Sequence, residues 1–283
     1  MNILITGCNG FLGQEFAEYF NNGENRIFLT NRDNLDVCNF EQVQTFFEKN
    51  KIDIVLHTAV KGGHRNSVER DTDFADNVKM FSNLEKVSDR YKLMITFCSG
   101  AAYGRGSVIN NVSETELENR HPIGFYGRSK NIIARQIRKN NKNIVNLRLF
   151  GCFGSKENDT RLIKTAITRC LDRSPIVIPQ NKEMDFFYVR DLCLVIDHYI
   201  SSFNKKNLPN DVNMCYNERK FTLEEIVQIV CSQNNTLGQV TVLDAKMGNP
   251  YTGSPRTLAS LEIPLIGLRE GIKEVYSEII CQR

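Results

Sequence analysis

A short apolar run, Met1-Asn2-Ile3-Leu4-Ile5-Thr6, leads straight into Gly7-Cys8-Asn9-Gly10-Phe11-Leu12-Gly13, and Phe16, Ala17 and Phe20 follow at helical spacing. Strand, glycine turn and helix in that order constrain the fold more than any other feature of the chain. Glycines allow the turn to be tight and let backbone approach a ligand closely. The helix start beyond them offers free N–H groups and a positive dipole end, so the segment reads as a cradle for a pyrophosphate. The spacing is Gly-x-x-Gly-x-x-Gly, and a bare glycine triplet would also suit an ordinary turn. Its place directly after an opening strand favours binding. The run is too short for a secretory or membrane-spanning segment.

The alternation continues. Strands are predicted near 2–6, 26–30, 53–57, 93–98 and 144–149 with helices between them, which implies a parallel sheet covered on both faces. The second strand ends at Asn31-Arg32-Asp33, where a dinucleotide's adenosine ribose would lie. A carboxylate there suits the ribose hydroxyls of NAD, and an arginine suits the 2′-phosphate of NADP. Arg32 therefore points to NADP, while Asp33 keeps NAD as the alternative. Asp36 and Val37 end a short segment that could lie against the adenine edge.

Ser99, Tyr126 and Lys130 form a proton-handling set. Four residues apart on a helix, Tyr126 and Lys130 share a face, so the ammonium can favour phenolate over phenol. That brings the hydroxyl towards the range useful for general acid and base catalysis, with Ser99 supplying a second hydrogen bond.

Taken together, the opening glycines, Ser99-Gly100-Ala101-Ala102-Tyr103-Gly104 and the Tyr126/Lys130 pair resemble the extended short-chain dehydrogenase/reductase family, of the NAD-dependent epimerase/dehydratase type. The resemblance spans nearly the whole chain. Val55-Leu56-His57-Thr58-Ala59 resembles the family's fourth strand beside the nicotinamide, with Asn77 in the next helix. Asn146 to Gly154, which contains Phe153, resembles the strand and turn opening the substrate region. Asp185 to Leu192 resembles the segment returning to the nucleotide domain. The implied fold is α/β: a Rossmann-type doubly wound parallel sheet over 1–155, with 184–217 returning to it, and a smaller C-terminal α/β substrate-binding lobe, mainly 156–283.

Within the family the chain most resembles the GDP-L-fucose synthase-like nucleotide-sugar reductases, through the Arg32-Asp33 turn and Ala59-Val60-Lys61-Gly62-Gly63. This implies an NADPH-dependent enzyme reducing the keto group of a nucleotide-linked 4-keto-6-deoxy sugar. Implied cofactor contacts are Thr6, Gly7, Asn9, Gly10, Phe11, Leu12, Gly13, Asn31, Arg32, Asp36, Val37, Thr58, Ala59, Val60, Asn77, Lys130 and Phe153. Implied substrate contacts are Lys61, Gly62, Ser99, Gly100, Ala101, Tyr126, Arg161, Arg190 and Arg256; Lys164, Arg219 and Lys220 are further phosphate candidates. The resemblance also implies a homodimer in which helix 125–139 joins a four-helix bundle.

Three departures refine the expectation. A second arginine for the 2′-phosphate falls at Asn9. The epimerising cysteine falls at Ala101 and its histidine partner at Arg161, so reduction without epimerisation is expected unless Cys98, Cys152 or His64 has taken over; Cys98 should face away from the site on its strand. The alternative is an NAD(P)-dependent epimerase or epimerase-reductase. A 4,6-dehydratase is disfavoured because Gly100 and Ala101 stand where the acidic pair would be, and a non-catalytic sensor because Tyr126 and Lys130 are both kept. The 9 scattered cysteines suit reduced cytoplasmic thiols, and with 4 scattered histidines they suggest no metal site. Charge is nearly balanced, 36 basic against 33 acidic residues, which argues against nucleic acid as a partner; no membrane association is expected either.

Overall fold

The computed structural model describes residues 1–63, 68–140, 143–203, 208–233 and 239–283. In chain order the elements are β1 (Asn2–Thr6), α1 (Phe11–Phe20), β2 (Arg26–Thr30), α2 (Phe40–Lys49), β3 (Ile54–His57), α3 (Asp71–Lys86), β4 (Leu93–Ser99), β5 (Ile109–Val112), α4 (Phe125–Lys139) and β6 (Ile144–Leu149). There follow β7 (Cys152–Phe153), α5 (Leu162–Leu171), β8 (Ile176–Gln180), β9 (Phe187–Tyr188), α6 (Val189–Ser202), β10 (Asp211–Met214), α7 (Leu223–Ser232), β11 (Val240–Asp244), β12 (Tyr251–Gly253), α8 (Arg256–Ala259) and α9 (Leu268–Cys281). The chain divides into two compact units, one of Met1–Ser107, Ser113–Arg148 and Val195–Asn213, the other of Val108–Val112, Leu149–Leu194 and Met214–Arg283.

The first unit is built on a sheet of order β10-β6-β4-β3-β1-β2, in which β1 pairs parallel with β2 and β3, and β3 with β4. Strand side chains alternate between faces. Leu4, Val55 and Met94 pack in one cluster with Val43 and Phe47 of α2, Phe81 and Leu84 of α3, and Ile133 and Ile137 of α4. On the other face the Phe16 ring of α1 lies 5.1 Å from that of Phe97, and Tyr19 Oη donates to Asp197 of α6 at 2.7 Å. Each such buried side chain stabilises the fold by roughly 1.5–3 kcal/mol.

Two details differ from the sequence expectation. Residues 33–39 form turns, so the strand likened to a family fourth strand is the third in chain order. A sixth strand, β10, was missed because Asp211-Val212-Asn213-Met214 alternates polar and apolar residues over only four positions, too short a run to stand out. All four residues are buried, and the polar pair is satisfied by its neighbours. The fully buried Arg148 donates from Nη2 to Asp211 at 2.7 Å and from Nη1 to Asn213 Oδ1 at 3.0 Å and to Tyr103 Oη at 3.1 Å. Asn146 Nδ2 adds a bond to Asp211 at 2.6 Å.

In the second unit, β8 pairs parallel with β11, β5 with β12 and β7 with β9, each as a two-stranded ribbon. Ile163, Ala166 and Ile167 of α5, Ile226, Val227 and Val230 of α7, and Ile272, Val275 and Ile279 of α9 are buried. The ribbons explain why the segments 156–183 and 218–283 show no long alternation. Buried Asp191 accepts from the N–H groups of Ile266 at 2.6 Å and Gly267 at 2.9 Å, fixing the approach to α9, and also accepts from Tyr216 Oη.

Candidate active site

The glycine turn has the shape that a phosphate cradle needs. Gly7 has φ +68°, and a Cβ there would come within 2.7 Å of the Ala59 backbone; at Gly13 one would come within 2.7 Å of Cys8 Cα. Those two glycines close the turn onto its own protein. Gly10 is different: an added Cβ would meet only Gly7 O, at 3.4 Å, so the space it leaves faces outward. Gly10 is also the N-cap of α1, with no side-chain cap and no acidic residue in the first turn. The orphan N–H groups at Phe11, Leu12 and Gly13 are what an anion would occupy, so the residues present fit a dinucleotide pyrophosphate.

Neighbouring segments are stitched to this turn. Thr58 Oγ1 donates to Thr6 O at 2.6 Å, Ala59 N to Thr6 Oγ1 at 3.4 Å, and Cys8 N to Thr30 O at 3.1 Å. The last bond sets the glycine turn beside the Asn31–Asn34 turn, in which Asn31 Oδ1 accepts from Asp33 N and Asn34 Oδ1 from Asn31 N, both at 2.8 Å. Arg32 projects from that turn with its side chain 73% exposed, its Nε 3.9 Å from Asp36 Oδ2. Arg32, Asp36, Cys38, Phe40, Asp76 and Lys79 line a groove of about 640 Å³. Val37 is buried in the core below it, and Asn9 and Val60 are exposed.

The structure brings the elements of Ser99, Tyr126 and Lys130 together. Ser99 ends β4, and its Oγ accepts from Ala101 N at 3.2 Å, starting the 3₁₀ turn Gly100–Tyr103. Helix α4 packs directly on that turn: a Cβ at Gly127 would fall 2.6 Å from Ala101 O, and Asn131 Nδ2 donates to Ala102 O at 2.9 Å. Lys130 is buried and reaches back to β4, donating to Phe97 O at 2.7 Å, with its Nζ 5.8 Å from the centroid of the Tyr126 ring. Burial pushes the Lys130 ammonium below its ordinary pKa range. Ala101 is buried and has no group that exchanges a proton. The Cys98 thiol is buried against Ser99 O and Lys130 O, each at 3.7 Å.

A loop that sequence reasoning left mainly to substrate is held against the tyrosine. Gly63, at φ +81°, approaches so closely that a Cβ would lie 2.8 Å from Cε2 and Cζ of Tyr126. Asn77 holds the loop in register, accepting from Lys61 N at 2.8 Å and donating to Lys61 O at 2.9 Å and to Ser129 Oγ at 3.3 Å. Lys61 Nζ is engaged by Asp76. The start of α4 lacks a cap from its own Gly124; Glu69 Oε2 accepts from Tyr126 N at 3.1 Å instead. A carboxylate near a helix N-terminus is favourable. In the sequence Gly63 was part of the Ala59–Gly63 motif without a role of its own and Glu69 did not stand out, because loop-to-loop contacts leave no periodic signal. His64 lies outside the described residues.

His57 is the other buried titratable group here. Its Nδ1 is 2.8 Å from Thr6 Oγ1, and burial, reinforced by the Lys130 charge, holds its pKa down at about 3. The unfolded chain binds a proton at His57 near pH 6.5, whereas the folded one does not until about pH 3. Stability is therefore lost as pH falls from 6.5 towards 3. We expect about 3 kcal/mol to go by pH ~4.5 through this group. Urea denaturation of the wild type and His57→Gln at the two pH values checks it: the variant should lose less stability on acidification, and an equal loss in both would refute it.

The remaining candidates lie in the second unit. Phe153 stacks on Tyr188 at 5.3 Å between centroids, and Cys152 is buried. Arg161 caps α5 with Nε 3.7 Å from Glu157, Arg190 reaches Glu278 at 4.0 Å, and Arg256 begins α8. Lys164 pairs with Asp159 at 2.9 Å, Arg219 with Glu225 and Lys220 with Asp185, both at 2.8 Å. Buried Glu157, pushed up to about 8 by desolvation, was not singled out from the sequence. No helix of the described residues is long and apolar enough to cross a membrane, and no cluster among them could hold a metal ion.

The chain is an NAD(P)-dependent oxidoreductase of the extended short-chain dehydrogenase/reductase type. The model of the NAD dependent epimerase/dehydratase family matches residues 3–215, and the chain belongs to that family. It is 23% identical over 243 residues, 74% of each chain, to ADP-L-glycero-D-manno-heptose-6-epimerase of Brachyspira hyodysenteriae. Among solved structures it is similar to MlghC, the GDP-mannoheptose C4 reductase of Campylobacter jejuni with NADP bound, at TM-score 0.82 and 21% identity, covering 99% of this chain and 98% of that one. It is likewise similar to a GDP-L-fucose synthetase of Naegleria fowleri, at TM-score 0.78 and 16% identity, covering 99% and 92%. At such identities the structures share the fold. The relatives are nucleotide-sugar epimerases, dehydratases and reductases.

Proposed function

We propose that the protein is an NADPH-dependent reductase of the keto group of a nucleotide-linked 4-keto-6-deoxy sugar and does not epimerise its substrate. The observation that supports the reading is the packing of α4 on the Ser99 turn, with the buried Lys130 ammonium 5.8 Å from the Tyr126 ring and Ala101 in that turn. The glycine turn and the α1 N-terminus would hold NADPH, which when bound would supply the hydride for the carbonyl carbon. Tyr126 gives its hydroxyl proton to the oxygen that gains charge, Ser99 donates a hydrogen bond to that oxygen, and Lys130 favours the phenolate left behind. Lys130 is also assigned to the nicotinamide ribose. Arg161, Arg190 and Arg256 are assigned to the sugar nucleotide, and α4 to a homodimer interface.

Arg32 is assigned to the 2′-phosphate, since it stands exposed beside the glycine turn. A charge-assisted contact is worth about 1.5–3 kcal/mol, so Arg32→Ala should weaken NADPH binding by about ten- to a hundredfold and leave NADH nearly unchanged. Titration of both cofactors checks this, and equal wild-type affinity for the two would refute it.

The function is tested with a panel of 4-keto sugar nucleotides, following NADPH absorbance in D₂O. Oxidation of NADPH with no deuterium at the carbons flanking the keto group, relative to an enzyme-free control, is the expected result. Deuterium there would favour the epimerase-reductase alternative, and Cys98→Ala, Cys152→Ala and His64→Ala would then be compared.

A further inference from the structure

Tyr126 has a second cation that the family pattern does not require. The guanidinium carbon of Arg105 lies 5.8 Å from the Tyr126 ring centroid, the same distance as Lys130 Nζ. Arg105 is exposed, between Gly104 at φ +93° and Gly106, where an added Cβ would meet nothing within 4 Å. Packing therefore leaves the arginine room to stand over the ring. Among the described residues no carboxylate forms an ion pair with it.

The two cations differ in kind. Lys130 is buried, is spent on Phe97 O, and sits where desolvation opposes its charge. Arg105 is solvated, and a guanidinium stays protonated throughout the working range. We propose that Arg105 acts through Tyr126 as a permanent positive charge that stabilises the phenolate formed when the proton has gone to the substrate oxygen. In that step the Tyr126 O–H bond breaks and an O–H bond forms on the former carbonyl oxygen. The bonding pair stays on the phenolic oxygen, and both cations lie 5.8 Å from the centroid of the ring over which the resulting charge is shared. The charged groups around Tyr126 include Lys130 from its own helix, Arg105 from the segment after the Ser99 turn, and Glu69 from the segment before α3. Glu69 opposes the cations but is directed at the backbone N–H.

The proposal rests on Tyr126 as the proton donor, and its test needs no substrate. The ultraviolet phenolate signal is titrated in the wild type, Arg105→Gln and Arg105→Lys, each as the difference from the same protein carrying Tyr126→Phe. Arg105→Gln should raise the midpoint by about half to one pH unit, lowering the phenolate population about three- to tenfold at a given pH below it, and Arg105→Lys should restore most of the shift. High salt should shrink the difference, because the guanidinium is exposed. Identical midpoints in wild type and Arg105→Gln would overturn the proposal, as would a shift that Arg105→Lys fails to reverse. A shifted midpoint in an enzyme that reduces no keto sugar would leave Arg105 its role and refute only the substrate reading.

Discussion

Tyr126→Phe is expected to lower turnover by about 10²–10⁴, the usual contribution of a positioned general acid, while cofactor affinity changes little. The substitution removes one hydroxyl and keeps the ring that packs on Gly63, so folding should be preserved. Turnover measured on a keto sugar nucleotide, with NADPH binding followed by fluorescence, separates the two effects. Wild-type turnover in the variant would mean that another group gives the proton. A parallel loss of NADPH binding would mean that the ring had been displaced and the experiment reported on structure.

Asp211→Ala should cost about 3–5 kcal/mol of stability, because it strands the fully buried guanidinium of Arg148. Arg148 is held well above its ordinary pKa by Asp211 against the opposing effect of burial, so it cannot escape the loss by shedding its proton. The double replacement Arg148→Met with Asp211→Leu removes both charges and should cost much less than the single change. Urea denaturation of the three proteins decides it. A single variant less than about 1 kcal/mol down would show that Asn213 and Tyr103 alone suffice for Arg148.

These two sites also show what the sequence could and could not convey. The central strands and α4 were legible because apolar runs alternate with helical spacing and the glycines punctuate them; the expected helix 125–139 is the one observed. The pairing of Tyr126 with Lys130 was legible because both lie on one helix, whose spacing can be counted. The network behind them was not. Arg148, Asp211 and Tyr103 come from three separate stretches, and a buried ion pair looks in sequence like surface charge. Lys61 was assigned to substrate from a loop motif; its ammonium meets Asp76 and its peptide Asn77, contacts that no spacing in the sequence signals. Gly63 carries no side chain to betray its neighbour.

The cap on α4 carries an implication for the interchange of parts between related chains. Glu69 lies just downstream of the loop that ends in Gly62 and Gly63, yet it closes the helix that bears Tyr126. Asn77, one helix further on, clamps the same loop and touches Ser129. A graft of residues 58–63 alone, taken to import another relative's loop, would arrive without the carboxylate and the amide that seat it. The smallest transplantable module runs from Thr58 through Asn77, and a recipient with a side chain at position 124 would have to shift the Glu69 carboxylate, since a Cβ there would come within 2.8 Å of Glu69 Oε2.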